Sequence, residues 1–449
     1  MTNTTRNPGH ITILGGGPAG LTAGYFAREN RLPFTIYEAS SRVGGNSITL
    51  RHGAFLFDSG AHSIQTKDEE VIKELRKLLQ HDLRKITLPI QTYYKGSLVD
   101  FPFSPLNLLR NIGLLAFAKA NFEILSQKFG ARQPDGSFQS YVHHKYGKTI
   151  GQDMLLNYSE KLWGSPCNRL SSDIAGELLT GLRFRTFLTE ALSGRSGKIK
   201  RLGGPIYYPK MGFGMIMERL SKSCGSSNIV TDSQITKIIH NHQRIQAVEI
   251  NGRKTIETDQ VISTLPLNTL LHSMKPLPPE EILGLAEGLS FRSVVLVTLF
   301  LDRESVTQST SVHFPDKSFS ITRIHEPKNR SEYMAPRTET SLVAEVPCHQ
   351  GDAIWNLDDE KLIQLVRSEL SRMHWIKEKE VFDGWVSRLN HAYPVLHIGY
   401  QNKIRKLLGF LHGLSNLKLT GRNGTFAYLS FHHIVKSSKK VIQGYVLDG

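Results

Sequence analysis

The chain has 449 residues, which is too long for one ordinary hydrophobic core, so we expect two domains or one large domain with a second one inserted. Hydrophobic residues make up 39% and charged residues 21%, a composition that excludes a largely disordered protein. Lys and Arg exceed Asp and Glu by 55 − 40 = 15, so the surface favours anionic partners such as phosphates, carboxylates or acidic lipids. No nucleic-acid partner is expected, because the basic residues are scattered and form no recognisable module.

The three cysteines lie far apart at Cys167, Cys224 and Cys348, without the spacing of a zinc site or a disulfide framework. We therefore predict no metal site and a reducing compartment. The polar N-terminus MTNTTRNPGH shows no signal-peptide pattern, which favours a cytoplasmic location.

The first 38 residues predict a βαβ unit, because the apolar run 10–14, the letters GGGPAG, a helical pattern over 21–30 and a second apolar run over 34–37 follow in order. Gly15, Gly17 and Gly20 form GxGxxG between the first strand and the helix. The first glycine allows a tight turn, the second lets the backbone approach a pyrophosphate, and the third lets the helix pack on the strand.

The residues around this motif indicate which dinucleotide is bound. Pro18 and Ala19 open the helix whose N-terminus would face the phosphates. Glu38, followed by Ala39, ends the second strand 18 residues after Gly20, where a carboxylate would accept hydrogen bonds from the ribose hydroxyls. The turn that follows favours FAD over NAD, because an Arg-x-Gly-Gly turn can run beside the ribityl chain and the pyrophosphate; it comprises Arg42, Gly44, Gly45 and Asn46.

The middle of the chain predicts an inserted domain. Residues 67–83 look helical, whereas the proline- and aromatic-containing stretch 88–105 and the amphipathic segments up to about residue 193 share no periodicity with the first unit. They predict a mostly helical second domain. The segment 193–210, rich in glycine and basic residues, predicts a loop at which the chain crosses between domains.

The most apolar stretch, 106–125, is interrupted by polar and charged residues and lacks the run of about 18 apolar residues expected of a membrane-spanning helix. This pattern predicts an amphipathic helix. Two interpretations stay open: an internal core helix, or a helix whose apolar face contacts a membrane or a partner.

The second half alternates between the two domains. Short alternating runs over 228–264 predict strands that return to the nucleotide-binding domain, the runs 291–301 and 340–346 predict strands of the second domain, and 416–420 introduces the last loop and helix. The predicted FAD-binding domain comprises 1–90, 205–290 and 385–449, and the predicted substrate domain comprises 91–204 and 291–384.

Several blocks resemble known flavoproteins. EASSRVGGNSITL followed by FDSGAHSIQT is similar to the superfamily of amine oxidases, protoporphyrinogen oxidases and UDP-galactopyranose mutases. YSEKLWGSP, YPKMGFG, AYPV and GRNGTFAY resemble blocks of a bacterial branch often associated with sugar and polysaccharide metabolism. The resemblance implies an α/β fold: a discontinuous, Rossmann-like FAD-binding domain of the glutathione reductase type, with an inserted helix-rich α+β substrate domain containing a small sheet.

The resemblance also implies where the flavin ring lies. Ser59, Gly60, Ala61 and His62 resemble the segment that passes along the flavin, so His62 is the candidate catalytic residue, placed to tune N5 or to hold substrate. The alternative is a structural histidine bonded to the backbone.

The last implied contacts come from a loop and a strand. The loop before the final helix contributes Gly421, Arg422, Gly424, Tyr428 and Leu429, and this helix would point its N-terminus at the N1–C2=O edge. Ile235 resembles the apolar residue whose backbone meets the adenine. Relatives often carry Asn and Asp after the tyrosine, whereas this chain does not, which puts any carboxylate role there in doubt.

Aromatic and cationic residues near the branch-specific blocks are suited to stacking on a ring and to pairing with phosphate or carboxylate. The candidates for substrate contact are Tyr158, Trp163, Arg183, Tyr208 and Tyr393. The leading prediction is an FAD-dependent oxidoreductase that oxidises an anionic or sugar-like small molecule. The alternatives are a sugar-nucleotide mutase that uses reduced FAD without net redox change, and a flavoprotein partner without turnover. The oligomeric state is left open.

Overall fold

The computed structural model describes residues 9–101, 103, 105–129, 135–176 and 205–447. The strands in these ranges are, in chain order, β1 (Ile11–Leu14), β2 (Phe34–Tyr37), β3 (Thr49–His52), β4 (Phe55–Asp58), β5 (Ile64–Gln65), β6 (Leu83–Ile86), β7 (Ile90–Tyr94), β8 (Ser97–Phe101), β9 (Ile206–Pro209), β10 (Ile229–Val230), β11 (Ile235–His240), β12 (Ile245–Ile250), β13 (Lys254–Glu257), β14 (Gln260–Ser263), β15 (Met274–Lys275), β16 (Phe291–Leu301), β17 (Ser311–His313), β18 (Arg323–His325), β19 (Thr340–Cys348), β20 (Val381–Pro394) and β21 (Leu417–Leu419).

The α-helices in the same ranges, numbered here in chain order, are α1 (Pro18–Glu29), α2 (Glu69–Leu79), α3 (Pro105–Ile112), α4 (Leu114–Phe129), α5 (Phe138–Tyr146), α6 (Lys148–Ile150), α7 (Asn157–Trp163), α8 (Gly214–Cys224), α9 (Leu267–His272), α10 (Glu280–Glu287), α11 (Ala353–Asn356), α12 (Asp359–Arg372), α13 (Tyr400–His412) and α14 (Phe431–Leu447). A π-helical turn over Gly151–Leu156 joins α6 to α7.

A five-stranded parallel sheet in the order β10-β2-β1-β14-β21 forms the centre of the first domain. Helix α1 packs against α8 and α14, so helices from three distant parts of the chain lie together. The hydroxyl of Ser438 in α14 donates to the carbonyl of Ala19 in α1 at 3.2 Å, across 419 positions of sequence. These features confirm the predicted discontinuous, Rossmann-like domain, and β10 to β14 confirm the strands predicted over 228–264.

A seven-stranded sheet in the order β20-β16-β19-β18-β17-β7-β8 forms the second domain, and it is larger than the small sheet expected. The central strands β16 and β19 confirm the strands predicted at 291–301 and 340–346. Within the stretch 88–105, which was expected to belong to a mostly helical domain, β7 and β8 instead form a hairpin around Lys95 and Gly96. Both turn residues have positive φ, 47° and 84°, as a two-residue type I′ turn requires.

The domain boundary expected between residues 384 and 385 lies within the second sheet. Strand β20 pairs with β16 from Leu301↔Val381 to Phe291↔Pro394, so the boundary predicted between 384 and 385 falls inside one continuous strand. The chain therefore leaves the second sheet only after Pro394. The physical reason is that β16 is almost entirely buried and needs a full-length partner on each side.

The amphipathic stretch around 106–125 has two apolar faces in α4. Ala120 and Ile124 are buried, whereas Leu114, Leu115 and Phe122 are 70%, 87% and 73% exposed. Among the described helices, none combines the length and apolar character that crossing a membrane requires.

Asn416 joins two sheets of the first domain just before β21. Its side-chain oxygen accepts from the backbone N–H of Ile245 at 2.8 Å, and its amide nitrogen donates to the carbonyls of Ile245 and Asp259 at 2.8 and 2.9 Å. The residue is 4% exposed, so water does not compete for these bonds.

We expect Asn416→Ala to lower the free energy of unfolding by about 2–3 kcal/mol, because three buried backbone groups lose their partner. Urea denaturation of the variant and the wild type measures the difference. Asn402→Ala, at an exposed position of α13, is the control and should change stability by less than about 0.5 kcal/mol. Equal effects of both substitutions would contradict the assignment.

Candidate functional site

The largest concentration of predicted site residues lines one cleft of about 440 Å³ between the first domain and the second sheet. The first domain contributes glycine-rich turns and the 59–62 segment, and the second sheet contributes side chains of β16, β18, β19 and β20. The predicted residues that line it are Gly17, Pro18, Ala19, Gly45, Asn46, Ser59, Gly60, Ala61, His62, Tyr393, Gly421, Arg422 and Tyr428.

The N-terminus of α1 opens into this cleft. Gly17 is the N-cap residue, Pro18 occupies the first turn, and no side chain caps the free backbone N–H groups. A phosphate could accept hydrogen bonds from such groups. Gly15 and Gly20 make the turn: Gly15 has a φ of +100°, and a Cβ on Gly20 would lie 1.9 Å from the carbonyl oxygen of Gly15.

The space in which a side chain of residue 17 would lie is empty of protein atoms. A Cβ built on Gly17 would meet no atom closer than the Cα of Gly45, at 4.0 Å. Gly45 has a φ of +53°, and the neighbouring Gly44, with a φ of +112°, donates its N–H to the carbonyl of Gly16 at 2.9 Å. This cradle of backbone fits a pyrophosphate.

The predicted adenosine end lies beside this cradle. Glu38 is 9% exposed, and its two carboxylate oxygens accept from the N–H groups of Gly16 and Ser40 at 2.7 and 2.9 Å. Each oxygen keeps a lone pair with which it can accept a ribose hydroxyl. The N–H of Ser233 donates to the carbonyl of Glu38 at 2.8 Å, which brings the start of β11 and Ile235 close to Glu38 and Ala39.

His62 has one ring nitrogen committed to the backbone. Its Nε2 lies 2.8 Å from the carbonyl oxygen of Asn46 and 3.1 Å from that of Ser59. Carbonyl oxygens only accept, so Nε2 carries the proton and Nδ1 keeps a lone pair. Burial lowers the pKa of His62, Asp58 acts in the opposite direction, and Arg422 lowers the pKa further. The ring is therefore neutral near pH 7.

Arg422 holds the loop before the final helix. Its Nε and Nη2 donate to the carbonyl of Leu429 at 3.0 and 2.7 Å, and its Nη1 donates to the carbonyl of Ala392 at 3.1 Å. Its guanidinium carbon lies 5.6 and 5.3 Å from the ring centres of Tyr393 and Tyr428. The loop is thereby fixed to the end of β20.

The final helix approaches the same cleft. It begins at Phe431, which lines the cleft together with Ser430. Gly424 does not line the cleft, because a Cβ there would lie 2.5 Å from the carbonyl oxygen of Thr420. Its role is to let the loop fold on itself.

Two charged residues that the sequence did not predict, Arg323 and Glu345, reach the cleft from the second sheet. Nη2 of Arg323 donates to both carboxylate oxygens of Glu345 at 2.8 and 2.7 Å. Glu345 also accepts from the backbone N–H of Ala61 at 3.0 Å. Glu345 is the one carboxylate among the cleft-lining residues that the structure describes. A single charge within the buried apolar run SLVAEVP was the signal for it.

The predicted substrate residues separate into two groups. Tyr393 lines the cleft, and burial, reinforced by Glu345, raises its pKa to about 12. Trp163 lies behind this wall, with its ring centre 5.8 Å from Tyr393 and 5.4 Å from Tyr428. Tyr158 is farther back and packs on His313 at 5.0 Å.

Three predicted residues are placed elsewhere. Tyr208 does not line the cleft, because its side chain is fully buried and its hydroxyl donates to Asp58. Arg42 lines a separate cavity of about 690 Å³ that also includes Met217 and Lys222. Arg183 lies outside the described residues.

The sequence matches a known protein family over most of its length. The family model described as "Flavin containing amine oxidoreductase" matches residues 18–421. The coproporphyrinogen III oxidase of Bacillus subtilis (strain 168) is 22% identical over 427 residues, covering 89% of this chain and 90% of that protein. The enzyme of the same name from Staphylococcus aureus (strain NCTC 8325 / PS 47) is 21% identical over 451 residues, covering 92% and 94%.

Two solved structures share the fold over nearly the whole chain. Reduced UDP-galactopyranose mutase superposes with a TM-score of 0.86 at 18% identity, covering 98% of this chain and 94% of the other. A putative protoporphyrinogen oxidase from Exiguobacterium sp. 255-15 gives 0.79 at 20% identity, covering 98% and 99%.

We expect Gly17→Val to yield folded but colourless protein. The added side chain meets no protein atom within 4 Å at its Cβ, yet it fills the space that the pyrophosphate needs. The flavin absorbance per protein and the circular dichroism of the backbone measure the two properties. Gly284→Val, in α10 with nothing within 4 Å of its Cβ, is the control and should stay yellow. Full flavin occupancy in Gly17→Val would refute the placement of the cofactor.

Proposed function

Because this chain belongs to the flavin-containing amine oxidoreductase family, whose model covers residues 18–421, we propose that it oxidises a small anionic or sugar-like molecule. It is an FAD-dependent enzyme. FAD, when bound, would supply two-electron oxidation, and the protein supplies orientation and electrostatics.

The charge of the cleft carries this proposal. The lining residues include two guanidinium groups, Arg323 and Arg422, and one carboxylate, Glu345. The two lining histidines, His62 and His391, add no charge near pH 7, because burial lowers the pKa of each. The balance of two positive charges and one negative charge attracts an anion and disfavours a cationic amine.

The two arginines suit different tasks. The guanidinium of Arg422 is occupied by the carbonyls of Leu429 and Ala392, so it contributes charge and holds the loop. Arg323 uses Nη2 for Glu345, and its Nη1 makes no hydrogen bond within the described part of the chain. Its side chain is 21% exposed at the cleft. We therefore assign to Arg323 the binding of a substrate phosphate or carboxylate.

His62 is placed to accept a proton from the substrate. Its Nδ1 has a lone pair, its ring is neutral, and the two carbonyl acceptors on Nε2 fix the tautomer. A hydroxyl or amine group that loses its proton as it is oxidised needs such a base within hydrogen-bond reach.

Net oxidation is supported by the two relatives named coproporphyrinogen III oxidase, which match about nine-tenths of the chain. The second candidate is a mutase that acts on a sugar nucleotide with reduced FAD. The same positive cleft favours it, because a sugar nucleotide is an anion. The third candidate is a flavin-binding partner without turnover, for which the open cleft offers no particular support.

A peripheral membrane contact stays a prediction. Leu114, Leu115 and Phe122 of α4 are exposed large apolar side chains, and the neighbouring Lys119 is exposed as well. Apolar anchors beside a basic residue suit an acidic lipid surface.

The first experiment separates net oxidation from isomerisation. The yellow enzyme is photoreduced without oxygen, air is admitted, and the flavin absorbance and peroxide are followed together. Rapid reoxidation with one peroxide per flavin supports an oxidase. A reduced flavin that persists for minutes contradicts the oxidase and leaves a dehydrogenase or the mutase.

Three probes of different charge then test the substrate class. Coproporphyrinogen III, UDP-galactopyranose and putrescine are mixed with the enzyme under nitrogen. We expect the porphyrinogen to bleach the oxidised flavin, or the reduced enzyme to isomerise the sugar nucleotide, with loss of either activity in Arg323→Gln. Bleaching by putrescine would contradict the anionic substrate class.

We expect His62→Gln to lower kcat by about 10²-fold or more, as removal of a general base does. In the wild type, burial lowers the pKa of His62 from the usual range of a histidine, so the loss of activity on protonation should come at a more acidic pH than for a free imidazole. This acidic limb should be absent from the pH profile of His62→Gln. An unchanged limb in the variant would assign the titration to another group.

A further inference from the structure

Arg330 connects the second domain to the 58–62 segment. It follows the 3-10 turn Pro327–Asn329 and is 5% exposed. Its Nη1 donates to the carbonyl of His62 at 3.0 Å, and its Nη2 donates to the hydroxyl of Ser311 in β17 at 3.1 Å. One guanidinium therefore bridges the second sheet and the backbone of the residue proposed as the base.

The other end of the same segment is held by a buried carboxylate. Asp58 is 1% exposed, and its oxygens accept from the hydroxyl of Thr49 at 2.6 Å, the N–H of Phe213 at 2.9 Å and the hydroxyl of Tyr208. The guanidinium carbon of Arg330 lies 5.7 Å from the ring centre of Tyr208. Tyr208 thus stands between the cation and the carboxylate.

The two buried charges favour each other. Burial raises the pKa of Asp58, and the charge of Arg330 acts in the opposite direction. No carboxylate lies within salt-bridge distance of Arg330 among the described residues, so this buried cation is held by carbonyls, a hydroxyl and an aromatic ring. Such an arrangement is costly, and apolar side chains often replace buried charges without loss of stability. We therefore attribute the buried arginine to a requirement of the adjacent cleft and not to the stability of the fold.

Further polar atoms around Arg330 lack partners. Its own Nε and both ring nitrogens of His325 are buried and make no hydrogen bond within the described residues. Simple packing does not account for a polar region of this kind beneath the 58–62 segment. The Glu345 contact with the N–H of Ala61 adds a second charged tether from the same sheet.

We propose that Arg330 is a positioning residue of the flavin site: it holds the Asp58–His62 backbone against the cleft, and its positive charge acts on the flavin. The inference rests on the proposed placement of this segment beside FAD, and it does not depend on the substrate. A positive charge near the flavin favours the more negative, reduced form.

The test uses the FAD-loaded enzyme without substrate. Arg330→Met should lower the midpoint potential of the bound flavin and change its visible circular dichroism, since both the charge and the tether to His62 are lost. Arg330→Lys keeps the charge, so its midpoint potential should lie closer to that of the wild type. Loss of substrate turnover alone would bear on the proposed function and not on this inference.

Arg303→Met, at a partly exposed arginine that also pairs with Glu380, is the control. Arg303 also donates to backbone carbonyls, those of Ser305 and Trp375, but it lies just beyond the end of β16 that is remote from the cleft. Its loss should lower thermal stability and leave the flavin spectrum and potential unchanged. Should Arg330→Met only reproduce the behaviour of Arg303→Met, the inference is overturned.

A milder variant keeps the test decisive if Arg330→Met does not fold. Ser311→Ala removes one acceptor of the guanidinium and leaves the cation in place. The visible circular dichroism of the flavin should change in Ser311→Ala, because the guanidinium is released on one side, and in Arg330→Lys, because one ammonium group replaces the two donor arms. Flavin properties identical to those of the wild type in both Ser311→Ala and Arg330→Lys would overturn the inference.

Discussion

Two neighbouring residues of the first domain are each bound at the backbone by a charged side chain of the second domain. The N–H of Ala61 donates to Glu345, and the carbonyl of His62 accepts from Arg330, both at 3.0 Å. Each charged group also has a partner within its own domain, because Glu345 is paired with Arg323 and Arg330 donates to Ser311. Together with the bonds from Arg422 and Asn46 to the end of β20, these two contacts connect the two domains across the cleft.

The two domains contribute different kinds of groups to the cleft. The first domain surrounds the cofactor space largely with backbone, because the turns at Gly17 and Gly45 offer N–H groups and no side chains. The second sheet contributes Arg323 and Glu345 from adjacent strands, paired directly in register. The first domain therefore contributes mainly local backbone turns to the cleft, whereas the second sheet contributes charged side chains that strand pairing brings together.

That division explains how far the sequence could predict the structure. The GxGxxG turn and the strands β16 and β19 are encoded in continuous stretches, so periodicity and glycine spacing were sufficient. The hairpin β7–β8 was missed because its strands do not alternate cleanly: the polar Thr92 is buried, whereas the apolar Leu98 is exposed. The Arg323–Glu345 pair was missed because 22 residues of chain separate its members, and Tyr208 was misplaced because nothing local indicates that its hydroxyl reaches Asp58.

The bond between Ser438 and Ala19 has a consequence for how the protein is made. The chain leaves the ribosome from its N-terminus, yet α1 is completed by α14, which is synthesised 419 positions later than its partner atom. The face of α1 that the last helix covers must wait for nearly the whole chain, and strand β21 joins the parallel sheet equally late. Folding of the cofactor domain therefore cannot finish before α14 has been synthesised, and the uncovered face of α1 is open to aggregation until then.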